Sequence, residues 1–209
     1  MKSHFLLLMV GIVLCFPAIS VAQVYKGTLK LHLDSQLLGY KFKNFDFEEA
    51  SEEQRKAFAL GLGSPHIGMG IGAAAVENLV IGARLAGYFD TEKIDGTDAE
   101  TKVSHWSILP YAEYVFSTGV VRPVIMLTLG LMGDVVEGIG DAESNAWMFH
   151  IGLGGGISFF LGHRFSLDLA ARLGYGIGQM EETLAEDQTR EARVDQFNVN
   201  ILLGISGWI

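Results

Sequence analysis

The stretch FSLDLAARLGYGI, residues 165–177, decides the fold. Phe165, Leu167, Leu169, Ala171, Leu173, Tyr175 and Ile177 fall at odd positions; Ser166, Asp168, Ala170, Arg172, Gly174 and Gly176 fall at even ones. A period of two sends successive side chains to opposite faces of a strand, whereas a helix repeats its apolar stripe every three to four residues. The same alternation runs from Trp147 to Leu161, where Phe149, Ile151, Leu153, Ile157 and Phe159 oppose Met148, His150, Gly152, Gly154, Gly156 and Ser158. It returns in Phe197, Val199, Ile201, Leu203 and Ile205, set against Gln196, Asn198, Asn200, Gly204 and Ser206. A half-buried strand of a soluble protein alternates too. Here, however, the polar face carries glycine and serine in place of lysine and glutamate. The runs also last ~10–15 residues against the usual five or six.

Eight segments of this kind follow one another: Gly27 to Phe42, Ala57 to Ala75, Leu79 to Phe89, Val103 to Phe116, Arg122 to Gly133, Ala146 to Leu161, Phe165 to Met180 and Val194 to Trp208. Short turns (Val76–Asn78, Ser117–Val121, Gly162–Arg164) alternate with long polar loops at 43–56, 90–102, 134–143 and 181–193. Those loops hold 5, 5, 4 and 5 of the 24 acidic residues, so charge is concentrated at one end. Strictly alternating short and long connections are the habit of barrels with tight periplasmic turns and longer external loops. Lipid offers no hydrogen bonds, so a sheet that crosses it must close on itself. The pattern therefore predicts an all-β fold, an eight-stranded antiparallel up-and-down transmembrane β-barrel over residues 23–209, with four acidic loops facing outward.

The start of the chain predicts export. Lys2 precedes an apolar run from Phe5 to Phe16, Pro17 breaks it, and Ser20-Val21-Ala22 forms a small-residue cleavage site. The run is shorter than the ~20 residues a spanning helix needs. Residues 1–22 read as a Sec signal peptide, with a mature chain starting at Gln23. Its removal takes away Cys15, the single cysteine, and moves the formal charge from −9 to −10 by the loss of Lys2. Disulfide and thiol chemistry are thereby excluded from the mature chain, and no basic patch points to nucleic acid.

The last strand ends at Gly207-Trp208-Ile209. With this terminal aromatic and the strand pattern over 27–209, the chain resembles small outer-membrane barrels of the OmpA-like and OmpW-like kind. In those proteins a final-strand aromatic is read by the assembly machinery; here Trp208 is penultimate. The resemblance implies a monomer in the outer membrane of a Gram-negative-type envelope, in contact with outer-membrane lipid, lipopolysaccharide and the barrel-assembly machinery.

Alternation assigns Lys30, His32, Asp34, Arg84, Glu113, Arg122, His150, Asp168 and Arg172 to the lumen. Lys30, Asp34, Arg84, Glu113, Asp168 and Arg172 are expected to form a structural charge network there, because unpaired charges in a dry interior are costly. An eight-stranded barrel is just wide enough for side chains to fill. Gly68, Gly70, Gly72, Gly152, Gly154 and Gly156 would make room for the larger ones. Trp106, Trp147 and Tyr175 near the loops, with Tyr114, Phe116, Phe159, Phe165 and Trp208 near the turns, are expected to form two interfacial girdles. Two irregularities stand out: Leu37-Leu38 breaks alternation, and Leu60 and Leu62 differ in parity from Ile67, Met69 and Ile71. A bulge or an extension above the membrane explains either.

No motif carries strong chemistry. Gly68-x-Gly70-x-Gly72 and Gly174-x-Gly176-x-Gly178 open no helix, so they are not dinucleotide sites. His105-x-Ser107 places two polar side chains on one strand face and is similar to the pair used by outer-membrane lipid A deacylases. Glu113 lies ~27 Å along the strand from His105 and cannot orient it. The acidic loops lack an EF-hand pattern, and His32, His66 and His150 lack ligand spacing. No cofactor, metal or catalytic set is expected. The reading is a non-enzymatic barrel with a plugged lumen and a structural or surface-interaction role. The alternatives are a conduit or binder for small hydrophobic solutes, with Leu60, Leu62, Val135, Val136 and Ile139 as its lining, and then a lipid-modifying enzyme.

Overall fold

A computed structural model describes residues 24–47, 56–62, 66–93, 100–116, 119–137, 143–184 and 188–209. The signal segment, and with it the cleavage site, lies outside the described residues. The strands are β1 (Leu29–Phe47), β2 (Lys56–Leu62), β3 (Ile67–Val76), β4 (Leu79–Lys93), β5 (Glu100–Val115), β6 (Val121–Glu137), β7 (Glu143–Phe160), β8 (Phe165–Leu184) and β9 (Gln188–Trp208). Among the described residues no helix is long and apolar enough to cross a membrane, which says nothing against crossing by strands.

Neighbouring strands pair antiparallel, and β9 returns to β1 from Lys30↔Trp208 to Phe47↔Ala192, so the sheet closes into a ring. β2 and β3 share the other side of β1: β2 pairs with Tyr40–Asp46 and β3 with Leu29–Ser35. They are two parts of one stave, and the barrel has eight. The sequence between them, Gly63-Ser64-Pro65, includes a residue that cannot donate to a ladder.

The period of two becomes an inside and an outside. On β7 the exposed residues Trp147, Phe149, Ile151 and Leu153 alternate with buried Met148, His150, Gly152 and Gly154. Leu31, Leu33, Ile71, Ile81, Ile125, Leu127, Leu129, Leu169, Leu173, Leu203 and Ile205 are likewise 41–57% exposed, forming an apolar belt around the barrel. Soluble monomers rarely expose a contiguous patch beyond a few hundred Å², so this belt is the surface of a transmembrane barrel.

The staves run further than their alternation indicated. Asp90–Lys93 pairs with Glu100–Val103, Asp134–Glu137 with Glu143–Ala146, and Glu181–Leu184 with Gln188–Glu191. Much of each expected long loop is therefore hairpin arm, because a continued ladder satisfies backbone groups that a loop leaves to water. The loop tips lie outside the described residues.

Leu37-Leu38 is a bulge. The β1–β9 register shifts between Gln36 and Leu38, and the parity of β1 inverts there. Before it, Lys30, Asp34 and Gln36 are buried; after it, Gly39 is buried and Leu38, Tyr40 and Phe42 are exposed. A second irregularity falls at Pro110, which has no N–H: the β5–β6 ladder skips from Ile108↔Leu131 to Tyr111↔Thr128, and Gly130 opposite adopts φ +156°.

The turn end is stitched shut. Asn78, at φ 64°, closes the β3–β4 turn in a conformation asparagine tolerates. Its N–H donates to Val24 O at 3.0 Å, which draws the N-terminal segment across the mouth. Val24 is buried there against Ala74, Val80, Tyr111, Val115, Val124, Phe160 and Trp208.

Candidate functional site

The interior is the only surface that the fold shields from both lipid and water, and it is filled in layers. At the turn end an apolar cluster gathers around Trp208 inside the bore. Trp208 faces inward, not to the membrane interface: its indole N–H donates to Ser166 Oγ at 3.0 Å and its ring tilts over Phe160 at 5.4 Å. It shares even parity with Ser206 and Gly204, so alternation itself places it inside and its assignment to a girdle is corrected. Trp106, Trp147, Tyr175, Tyr114, Phe116 and Phe165 do face outward near strand ends.

The next layer is ionic. Lys30 Nζ lies 2.6 Å from Glu113 Oε1 and 5.1 Å above the Trp208 ring. Arg84 grips Asp34 with two bonds, one from Nε at 2.7 Å and one from Nη2. All four side chains are buried, the setting in which fork-to-carboxylate pairing is strongest. Asp168 and Arg172 do not meet. Asp168 accepts from Ser166 Oγ at 3.0 Å and from Ser206 Oγ. Arg172 reaches Met126 Sδ at 3.8 Å. Arg122 sits 4.2 Å over the Phe160 ring and donates to Gly119 O at 3.1 Å. Glycine makes the room: a Cβ on Gly68 would meet the Arg84 guanidinium, and one on Gly70 the His32 ring. A cavity of about 50 Å³ remains beside Lys30, Asp34, Glu113, Asp168 and Arg172.

The loop-end half holds a cluster that alternation alone did not reveal. Asp134 is the hub. It is buried and opposite His105 in the β5–β6 ladder. His105 Nδ1 donates to its Oδ1 at 2.5 Å, Lys43 Nζ to its Oδ2 at 2.6 Å, and Lys41 Nζ lies 3.8 Å away. His66 packs edge-on to both His105 and Tyr88, with centroids 4.7 Å apart, and Tyr88 stacks on His105. Beside it Met132, Met148, Met180, Ala146, Ala192 and Val194 form an apolar wall along β6 to β9, with Ala146 opposite Asp134 in the β6–β7 ladder. Two signals hide this cluster in the sequence. The bulge turns Lys41 and Lys43 inward, and Asp134 reads as the first residue of a loop.

Asp134 supplies the carboxylate that Glu113 is too distant to offer His105. The hydroxyl of Ser107, however, points to Ala86 O at 3.5 Å. A nucleophile needs its hydroxyl bonded to the base, and this one is turned to the backbone. Of the expected hydrophobic lining, Val135 and Val136 are partly exposed in β6. Ile139 lies outside the described residues, and β2 defines Leu60 and Leu62 by register alone, opposite Phe42 and Tyr40. Among the described residues no group of three His, Cys, Asp or Glu is placed to hold a metal.

A closed up-and-down ring of eight staves, apolar outside and polar within, is the architecture of one class of protein. The fold is that of the outer-membrane β-barrels. The chain superposes on the outer-membrane protein AlkL with a TM-score of 0.53 at 14% identity, covering 93% of this chain and 95% of AlkL. OprG from Pseudomonas aeruginosa gives 0.50 at 11%, covering 90% and 99%. The outer membrane protease OmpT from Escherichia coli gives 0.54 at 6%, covering 93% and 99%. At these identities the likeness is one of fold. No family model matches the chain, and no curated protein matches it in sequence.

Proposed function

We propose that the chain is an exported outer-membrane protein whose lumen is closed, and that it acts structurally or through what its outer end presents. The observation that carries this reading is the filled bore. An apolar plug of Val24, Val80, Tyr111, Phe160 and Trp208 lies under two buried ion pairs, and the cavities left among them measure about 50 and 40 Å³. A water-sized sphere needs roughly 10–15 Å³ of such space, so each holds a few waters and not a hydrated path. The barrel stands as a monomer in outer-membrane lipid and lipopolysaccharide, delivered by the barrel-assembly machinery. Single-channel recording in planar bilayers tests the closure: only brief, small events are expected from the unmodified protein, and a stable large conductance overturns it.

The methionine wall favours a second reading, binding of small hydrophobic solutes at the loop end. Met132, Met148 and Met180 offer soft, adaptable surface of the kind promiscuous apolar sites use. A fluorescent apolar probe displaced by alkanes, with loss of binding in Met148→Asp, supports that reading; no saturable binding removes it.

A further inference from the structure

Above the ion pairs the lumen contains its second cavity, of about 40 Å³. Its charged lining is Lys41, Arg84 and Arg172, and no carboxylate lines it. Histidines and the amides of Gln196, Asn198 and Asn200 supply most of the remaining polar lining. Arg84 has a counter-ion in Asp34, and Lys41 stands near Asp134. Arg172 is placed differently. It is 5% exposed, its Nη2 faces the Met126 sulfur, and its Nε has no hydrogen-bond partner among the described residues. His150, 2% exposed, has neither ring nitrogen bonded, and His66 Nδ1 is also without a partner among the described residues. A guanidinium cannot shed its charge, and buried polar groups without partners are rare unless water or an ion serves them.

We propose that this chamber binds a small monovalent anion of the chloride class, held by Arg172 with the imidazole of His150 and the amide of Asn198. The sign follows from Arg172, a buried cation bonded to no carboxylate among the described residues, in a lining that carries no acid of its own. The size follows from the volume, which admits one small ion with a water or two and excludes a hydrated polyatomic anion. Water beside the ion serves the carbonyl oxygens of Gln196 and Asn200, which are also without partners among the described residues. The site is separate from the question of conductance: a bound ion held between filled layers stabilises the barrel without crossing it.

The test is thermal unfolding of the full mature barrel in detergent at constant ionic strength, with gluconate exchanged for chloride. The unfolding temperature is expected to rise with the logarithm of chloride concentration once the site fills, because a ligand of the folded state alone stabilises by mass action. Bromide should act as chloride does, and bromide-grown crystals should show one anomalous peak beside Arg172. Asn198→Asp supplies a fixed negative charge in place of the ion, so that variant should unfold at the same temperature in both salts. Equal unfolding of the wild type in chloride and gluconate, with no bromide peak, overturns the proposal and leaves the chamber to water. Full chloride dependence in Asn198→Asp also overturns it, by placing the ion elsewhere.

Discussion

At the turn end of the lumen, Trp208, Phe160, Tyr111 and Val80 pack beneath Lys30–Glu113 and Asp34–Arg84. At the loop end, a single carboxylate, Asp134, gathers Lys43, Lys41 and His105, and a wall of methionines runs beside them along β6 to β8. The first arrangement is deeper and tighter: Glu113 pairs with Lys30 and Asp34 with Arg84, all four buried, and His32 Nε2 lies 3.4 Å from Asp34. The second is shared: three donors lean on one acceptor, and Lys43 keeps a fifth of its side chain exposed. The difference teaches how burial sets the strength of a charge pair. A deeply buried pair is costly to break, whereas a shared pair near the mouth can exchange a partner for water.

The sharpest way to break this contrast is to remove one charge from the deeply buried pair. Glu113→Gln leaves Lys30 buried without a counter-ion, and the expected loss is about 3–5 kcal/mol in stability. Urea unfolding in lipid vesicles, followed by tryptophan fluorescence, reads it. The double variant Lys30→Met with Glu113→Met should recover most of the loss, since an apolar pair can replace a buried ion pair at little cost. A double variant as unstable as the single would mean that the pair acts through something other than its charge.

Asp134→Asn tests the shared cluster and should cost less, about 1–3 kcal/mol, the scale of losing hydrogen bonds to a charged group. The amide oxygen still accepts from one donor, and water reaches Lys43. The same unfolding assay decides. A loss exceeding that of Glu113→Gln would invert the comparison and put the stronger charge pairing at the loop end.

How much of this was open to reading depended on where the period of two runs unbroken. From Phe165 to Ile177 alternation identified both faces, and Asp168 and Arg172 lie inside as their parity requires. Parity says which face, not which partner: the serines that hold Asp168 and the Asp34–Arg84 contact follow from the closure of β9 on β1, a long-range register that no local pattern encodes. Beyond Leu37-Leu38 the bulge reverses parity, so Lys41 and Lys43 face inward against the trend of the first half of β1. Asp134 was hidden for a different reason. Acidic residues are common where strands give way to loops, and only the extended β6–β7 hairpin makes it an interior residue. Trp208 shows the opposite error, since strand parity placed it inside while its terminal position suggested an interface.

That last residue offers the finest test of inside against outside. Trp208→Phe keeps an aromatic over Phe160 and removes the indole N–H from Ser166. Ser166 still donates to Asp168, so no buried donor is stranded. The expected loss is that of one neutral hydrogen bond, about 0.5–1.5 kcal/mol. Leu169→Ala trims a side chain of the exposed belt, 41% of whose surface is open to lipid. Lipid tails are as apolar as leucine and flow into the space, so its effect should be smaller still. Measuring both variants in the same vesicles sets the order. If Leu169→Ala proves the more damaging, the belt contributes more to stability than the floor of the bore, and the contrast between the two ends of the lumen is secondary to packing at the lipid surface.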